Sequence, residues 1–172
     1  MAVRKGSHYL IMKTERIVNR IFLILTLLVM ALIFFFSTQN GESSSETSST
    51  VVRIVLSVFV RGFGEMGGSE QAALISKYSH IVRKAAHFSE FAALGFCFYL
   101  YLSTRERKMK FLKRGLVSLV FSALYALSDE AHQMLSDGRG PSLIDSAIDT
   151  AGAFTGIIIA LLICYLIETR QK

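Results

Sequence analysis

Residues 85–102, AAHFSEFAALGFCFYLYL, decide how this chain folds, because they either cross a membrane or they do not. Their polar residues His87, Ser89 and Glu90 lie in the first third, and residues 91–102 carry no charge. A bilayer core of about 30 Å needs roughly 20 mostly apolar helical residues. Read as a span, the stretch joins three other apolar runs, at about residues 17–36, 115–135 and 143–167. The expected fold is therefore all-α, a polytopic membrane protein with four transmembrane helices.

Charge agrees with that count. Arg4, Lys5, Lys13, Arg16 and Arg20 precede or open the first run, and Arg105, Arg107, Lys108, Lys110, Lys113 and Arg114 follow the second. Basic residues favour the cytoplasmic side. Two basic clusters separated by two spans fall on the same side, and Arg170 and Lys172 end the chain there too. The reading is a basic cytoplasmic N-terminus (1–16), a membrane domain (17–167) and a cytoplasmic tail (168–172), in the plasma membrane with both termini inside.

Composition supports this. Hydrophobic residues make up 52% of 172, with one proline and no tryptophan, and mean hydropathy is positive. The net charge of +6 is concentrated beside apolar runs, which reads as topology and excludes nucleic acid as a partner. Cys97 and Cys164 each lie within an apolar stretch, where thiols act as small hydrophobes. The first run resembles a signal peptide but ends in Phe34-Phe35-Phe36-Ser37 without a small-x-small cleavage pattern, so it reads as a retained helix.

The connection 37–84 belongs to the outer face. Residues 41–50 are a Ser/Thr/Glu tract, expected to be a flexible loop. In residues 51–60 the polar positions Arg53 and Ser57, followed by Arg61, recur every fourth residue, which predicts an amphipathic helix lying in the interface or packed on the bundle. Gly62, Gly64, Gly67 and Gly68 form a hinge before a helix from Ser69 towards the second span.

Ionisable residues at membrane depth are expensive and mark a partner, an aqueous cavity or a site. Arg83, His87, Glu90 and Leu94 form one helical stripe. Asp129, His132 and Gln133 share a face, with Glu130 beside them, and Ser142, Asp145, Asp149, Gly152 and Gly156 form a third stripe. The topology brings all three to the outer leaflet, within reach of Arg139, whose guanidinium suits a carboxylate or phosphate. Each group also has a structural reading: an intrahelical His87–Glu90 pair, Asp129 and Glu130 capping a span, Asp145 serving a helix dipole. The Gly152 and Gly156 spacing is explained by close helix packing.

These residues resemble the VanZ-like membrane protein family, named for a protein associated with teicoplanin resistance. The pieces are Phe36-Ser37-Thr38-Gln39, Arg83-Lys84-Ala85-Ala86-His87-Phe88-Ser89-Glu90-Phe91, Ser128-Asp129-Glu130-Ala131-His132-Gln133, Arg139-Gly140-Pro141-Ser142-Leu143-Ile144-Asp145 and Asp149-Thr150-Ala151-Gly152. The family more often has tyrosine where this chain has Phe91, and asparagine where it has Asp149. The resemblance implies an envelope role connected with glycopeptide tolerance and supplies no defined reaction.

The favoured expectation is binding of an anionic lipid or cell-wall precursor by Lys84, His87, Glu90, Asp129, Glu130, Gln133, Arg139 and Asp145. The alternative is an intramembrane hydrolase or transferase using His87, Glu90, Asp129, Glu130 and Asp145 as acid, base or metal ligands. No HExxH motif or nucleophile elbow is present, so neither metal nor cofactor is assigned. A carrier would place polar groups near the midplane of both halves, whereas the cytoplasmic halves here are almost purely apolar. The oligomeric state is left open.

Overall fold

The computed structural model describes residues 2–38, 41–106, 108–133 and 142–170, with side chains from residue 14 in the first segment and from residue 45 in the second. The chain is all-helical among these residues: α1 (Ala2–Ser37), α2 (Gly41–Phe59), a short 3-10 turn (Phe63–Glu65), α3 (Gly68–Arg105), α4 (Phe111–Gln133) and α5 (Leu143–Arg170). Four helices are long and apolar enough to cross a membrane, within 14–37, 68–105, 111–133 and 143–170. Their outward faces carry Ile24, Leu116, Leu124 and Leu162, all exposed, while Thr26, Ser118 and Ser122 are buried. Leucine outside and small polar residues inside is the pattern of helices packing in lipid, where apolar surface gains nothing by turning inward.

The closest packing joins α3 to α5, which run parallel. A Cβ on Gly152 would collide with the carbonyl oxygen of Phe88, one on Gly156 with that of Ala92, and one on Gly95 with that of Ala153. Glycine lets the two backbones touch, as the Gly152 and Gly156 spacing predicts. α1 and α4 close the bundle around Ile33, Phe91, Leu94, Ala126 and Ala153. The Tyr125 hydroxyl donates to the Met30 carbonyl at 2.8 Å, and Phe98 stacks on Phe121 at 4.2 Å.

Contacts fix which termini share an end. The Asn19 amide donates to the Tyr101 carbonyl at 3.2 Å and to Thr104 Oγ1 at 2.9 Å, so the start of α1 lies beside the end of α3. Tyr99, Leu119, Ile157, Ala160 and Cys164 pack together, adding the start of α4 and the end of α5. Arg20, Arg105, Arg114 and Arg170 thus belong to one end of the bundle. The Ser142 and Lys84 contacts described below belong to the other.

At that other end α3 overruns the bundle. Its 38 residues span about 57 Å, against about 30 Å of hydrocarbon. α2 folds back along the surplus through Val52 and Leu56, which are buried with Phe63 and Ile75. The reversal passes through Gly62, at φ +75°, a left-handed conformation that suits glycine.

The Ser/Thr/Glu tract departs from expectation: residues 41–50 are not a flexible loop but the first half of α2. The small serines allow close approach to α3, with Ser48 buried and Ser49 Oγ 3.1 Å from Ser79 Oγ. Packing overrides a composition that alone reads as loop. The amphipathic helix therefore rests on α3, leaving Val58 and Phe59 exposed.

Candidate functional site

Three helices deliver the polar residues to one basin. α3 brings Lys84, His87 and Glu90, α4 brings Asp129, Glu130 and Gln133, and α5 brings Asp145 and Asp149. The glycine seam sets the α3–α5 register: contact between Phe88 and Gly152 draws the turn bearing His87 towards the turn bearing Asp149.

Several predicted residues are engaged with one another. Lys84 Nζ donates to Asp145 Oδ1 at 2.6 Å, a pair whose side chains are both a little over 40% exposed. The Gln133 amide donates to Asp129 Oδ2 at 2.7 Å. The Ser142 backbone N–H donates to Glu130 Oε1 at 2.5 Å, and the Asp145 N–H donates to Ser142 Oγ at 3.2 Å. Glu130 and Ser142 thereby satisfy orphan donors at the start of α5, a capping role. His87 Nδ1 lies 3.7 Å from Glu90 Oε2, within ion-pair range and beyond hydrogen-bond range. His132 is not brought to the basin but stacks on Phe34 at 4.8 Å. Arg139 lies outside the described residues.

The structure adds Asp149, which the sequence placed on the correct stripe but outside the expected cluster. It is only 5% exposed, and one ligand atom from each of His87, Asp129 and Asp149 lies within 4.8 Å of the others. The i, i+4 step from Asp145 was the available signal, since it puts Asp149 one turn deeper on the same face. The carboxylates of Asp129, Asp145, Glu130 and Glu90 all act electrostatically on Asp149, so the basin is strongly acidic.

Sequence reasoning also missed a cleft of about 460 Å³ between α2 and α3, lined by Ser45, Ser48, Ser49, Arg53, Ser76, Ser79, His80 and Arg83 with two apolar residues. Ser76, Ser79, His80 and Arg83 sit at helical spacing and continue into His87 and Glu90, making one polar stripe along α3. The upper part is basic and hydroxyl-rich, the lower part acidic. Arg53, His80 and Arg83 form no ion pair among the described residues.

A comparison with curated proteins and one with solved structures each gave no match. A family description, VanZ/LLP1, matches residues 22–165, which takes in most of each of the four candidate spans together with α2, the cleft and the basin. The four apolar helices and that match together make this chain a multi-pass membrane protein of the VanZ/LLP1 family.

Proposed function

We propose that the protein acts at the outer face of the plasma membrane, where the α2–α3 cleft binds the phosphorylated headgroup of an anionic lipid or lipid-linked cell-wall precursor. The observation carrying this reading is the cleft itself: two guanidiniums, an imidazole and several hydroxyls face one space. Guanidinium pairs with phosphate oxygens through two parallel hydrogen bonds, and hydroxyls complete the shell. Lys84, expected to hold the anion, is already held by Asp145, and Gln133 is held by Asp129. The anion-binding role therefore moves up the same stripe to Arg83, His80 and Arg53. Basic residues at the opposite end support cytoplasmic termini by the positive-inside rule. Sequestering or presenting a precursor headgroup is the route by which such a protein would contribute to glycopeptide, including teicoplanin, tolerance.

Purified protein in nanodiscs containing phosphatidylglycerol, phosphatidylcholine or a lipid-linked wall precursor tests this by native mass spectrometry. Selective retention of the phosphatidylglycerol or precursor species, lost in Arg53→Ala, Arg83→Ala and kept in Lys77→Ala, is expected; the preferred species identifies the source. Equal retention of zwitterionic and anionic lipid by wild type would refute the reading. Unchanged teicoplanin susceptibility on expression would remove the tolerance role.

A further inference from the structure

We propose that His87, Asp129 and Asp149 form a binding site for one divalent cation of the zinc or manganese class. The residues come from three different helices, α3, α4 and α5, so the site exists only in the assembled bundle. Their ligand atoms lie within 4.8 Å of one another. The centre of a triangle of that size is at most about 2.8 Å from each corner, about 0.6 to 0.8 Å beyond the roughly 2.0 to 2.2 Å bonds that imidazole and carboxylate make to zinc. Small side-chain rotations close the difference.

Proximity of acidic groups alone would not make a site. The second observation is Asp149. It is 95% buried by its 5% exposure and points into the cluster, yet it makes no hydrogen bond or ion pair among the described residues. Buried carboxylates are normally paired, hydrogen-bonded or bound to metal. Lys84 cannot serve, since Asp145 holds it. Besides His87, the groups that act electrostatically on Asp149 are the carboxylates of Asp129, Asp145, Glu130 and Glu90, so the local field favours a cation.

The surroundings also resemble the outer hydrogen bonding that orients metal ligands. Gln133 fixes the Asp129 carboxylate through Oδ2 at 2.7 Å, while Glu90 Oε2 stands 3.7 Å from His87 Nδ1, at ion-pair rather than hydrogen-bond distance. One imidazole with two carboxylates is a poor set for calcium, which takes six to eight oxygens, and for magnesium, which prefers oxygen throughout. It suits zinc, manganese or ferrous iron, with positions left for water or another ligand. This site does not depend on the lipid reading.

Chelator-stripped protein in detergent, titrated with zinc or manganese chloride and followed by elemental analysis and thermal melting, tests the proposal. Wild type is expected to retain about one ion per chain and to melt higher when loaded, because ligands that bind only the folded state stabilise it. Asp149→Asn, which keeps size and shape, is expected to weaken uptake by about 100-fold or more and to lose the melting shift. His132→Ala, which removes a histidine outside the cluster, keeps both, and Arg53→Ala, Arg83→Ala keeps the ion while losing headgroup selectivity. Each variant's folding is checked independently by its ion-free melting midpoint. The proposal is overturned if wild type takes up no ion at millimolar concentration, or if Asp149→Asn, folded by its ion-free melt, binds as wild type does.

Discussion

The two ends of this bundle are built on opposite terms. At the basic end, Tyr99, Ile157 and Ala160 form a core with Phe96, Leu100, Leu119 and Leu161, and the contact tying α1 to α3 is a neutral one between Asn19 and Thr104. At the other end the same helices carry Glu90, Asp129, Glu130, Asp145 and Asp149 within a few turns. Neutral packing needs nothing further, whereas a concentration of carboxylates at membrane depth is retained against its energetic cost. The glycine seam lies between the two ends and serves both. It supplies the packing that the acidic end cannot, and it holds His87 against Asp149.

The strongest way to break this contrast is to part the seam. Gly156→Leu puts a branched side chain where even a Cβ meets the Ala92 carbonyl. We expect a loss of about 3 kcal/mol or more, or no folded protein, read by thermal melting and by monodispersity in detergent. Next comes the cap between α4 and α5. Glu130→Ala leaves the Ser142 N–H without its acceptor and should destabilise by about 1–3 kcal/mol, while Glu130→Gln, which keeps an oxygen, should recover most of it. Breaking the half-exposed Lys84–Asp145 pair with Lys84→Met should matter less, about 0.2–1 kcal/mol, and the loss should shrink with added salt. The smallest effect belongs to the lipid face: Leu124→Ala, at a position 62% exposed, should leave melting within about 0.5 kcal/mol of wild type. A large effect there would mean that Leu124 is covered by another protein surface.

Much of this architecture is readable from residue order. Hydropathy gives the spans because a bilayer demands long apolar helices, and three- and four-residue steps give the stripes because helical geometry is fixed. What escaped depends on neighbours that sequence does not reveal. Residues 41–50 look like a loop until α3 lies beside Ser48 and Ser49. Lys84 looks available for an anion until Asp145 is found 2.6 Å away. Asp149 looks like one more carboxylate until the seam sets its depth, and Arg53 and Arg83 belong to one cleft only because α2 turns back at Gly62.

The overrun of α3 works as a depth gauge. Measured along the helix from Ala85, where its apolar run begins, Arg83 stands about 3 Å and Ser76 about 14 Å further out. Headgroup layers occupy about 5–8 Å on each side of the hydrocarbon. On the headgroup-binding reading proposed above, this one rigid rod would set the Arg83 guanidinium within the headgroup layer and carry Ser76 beyond it, so that a lipid could meet the lower end of the cleft without being lifted from its leaflet.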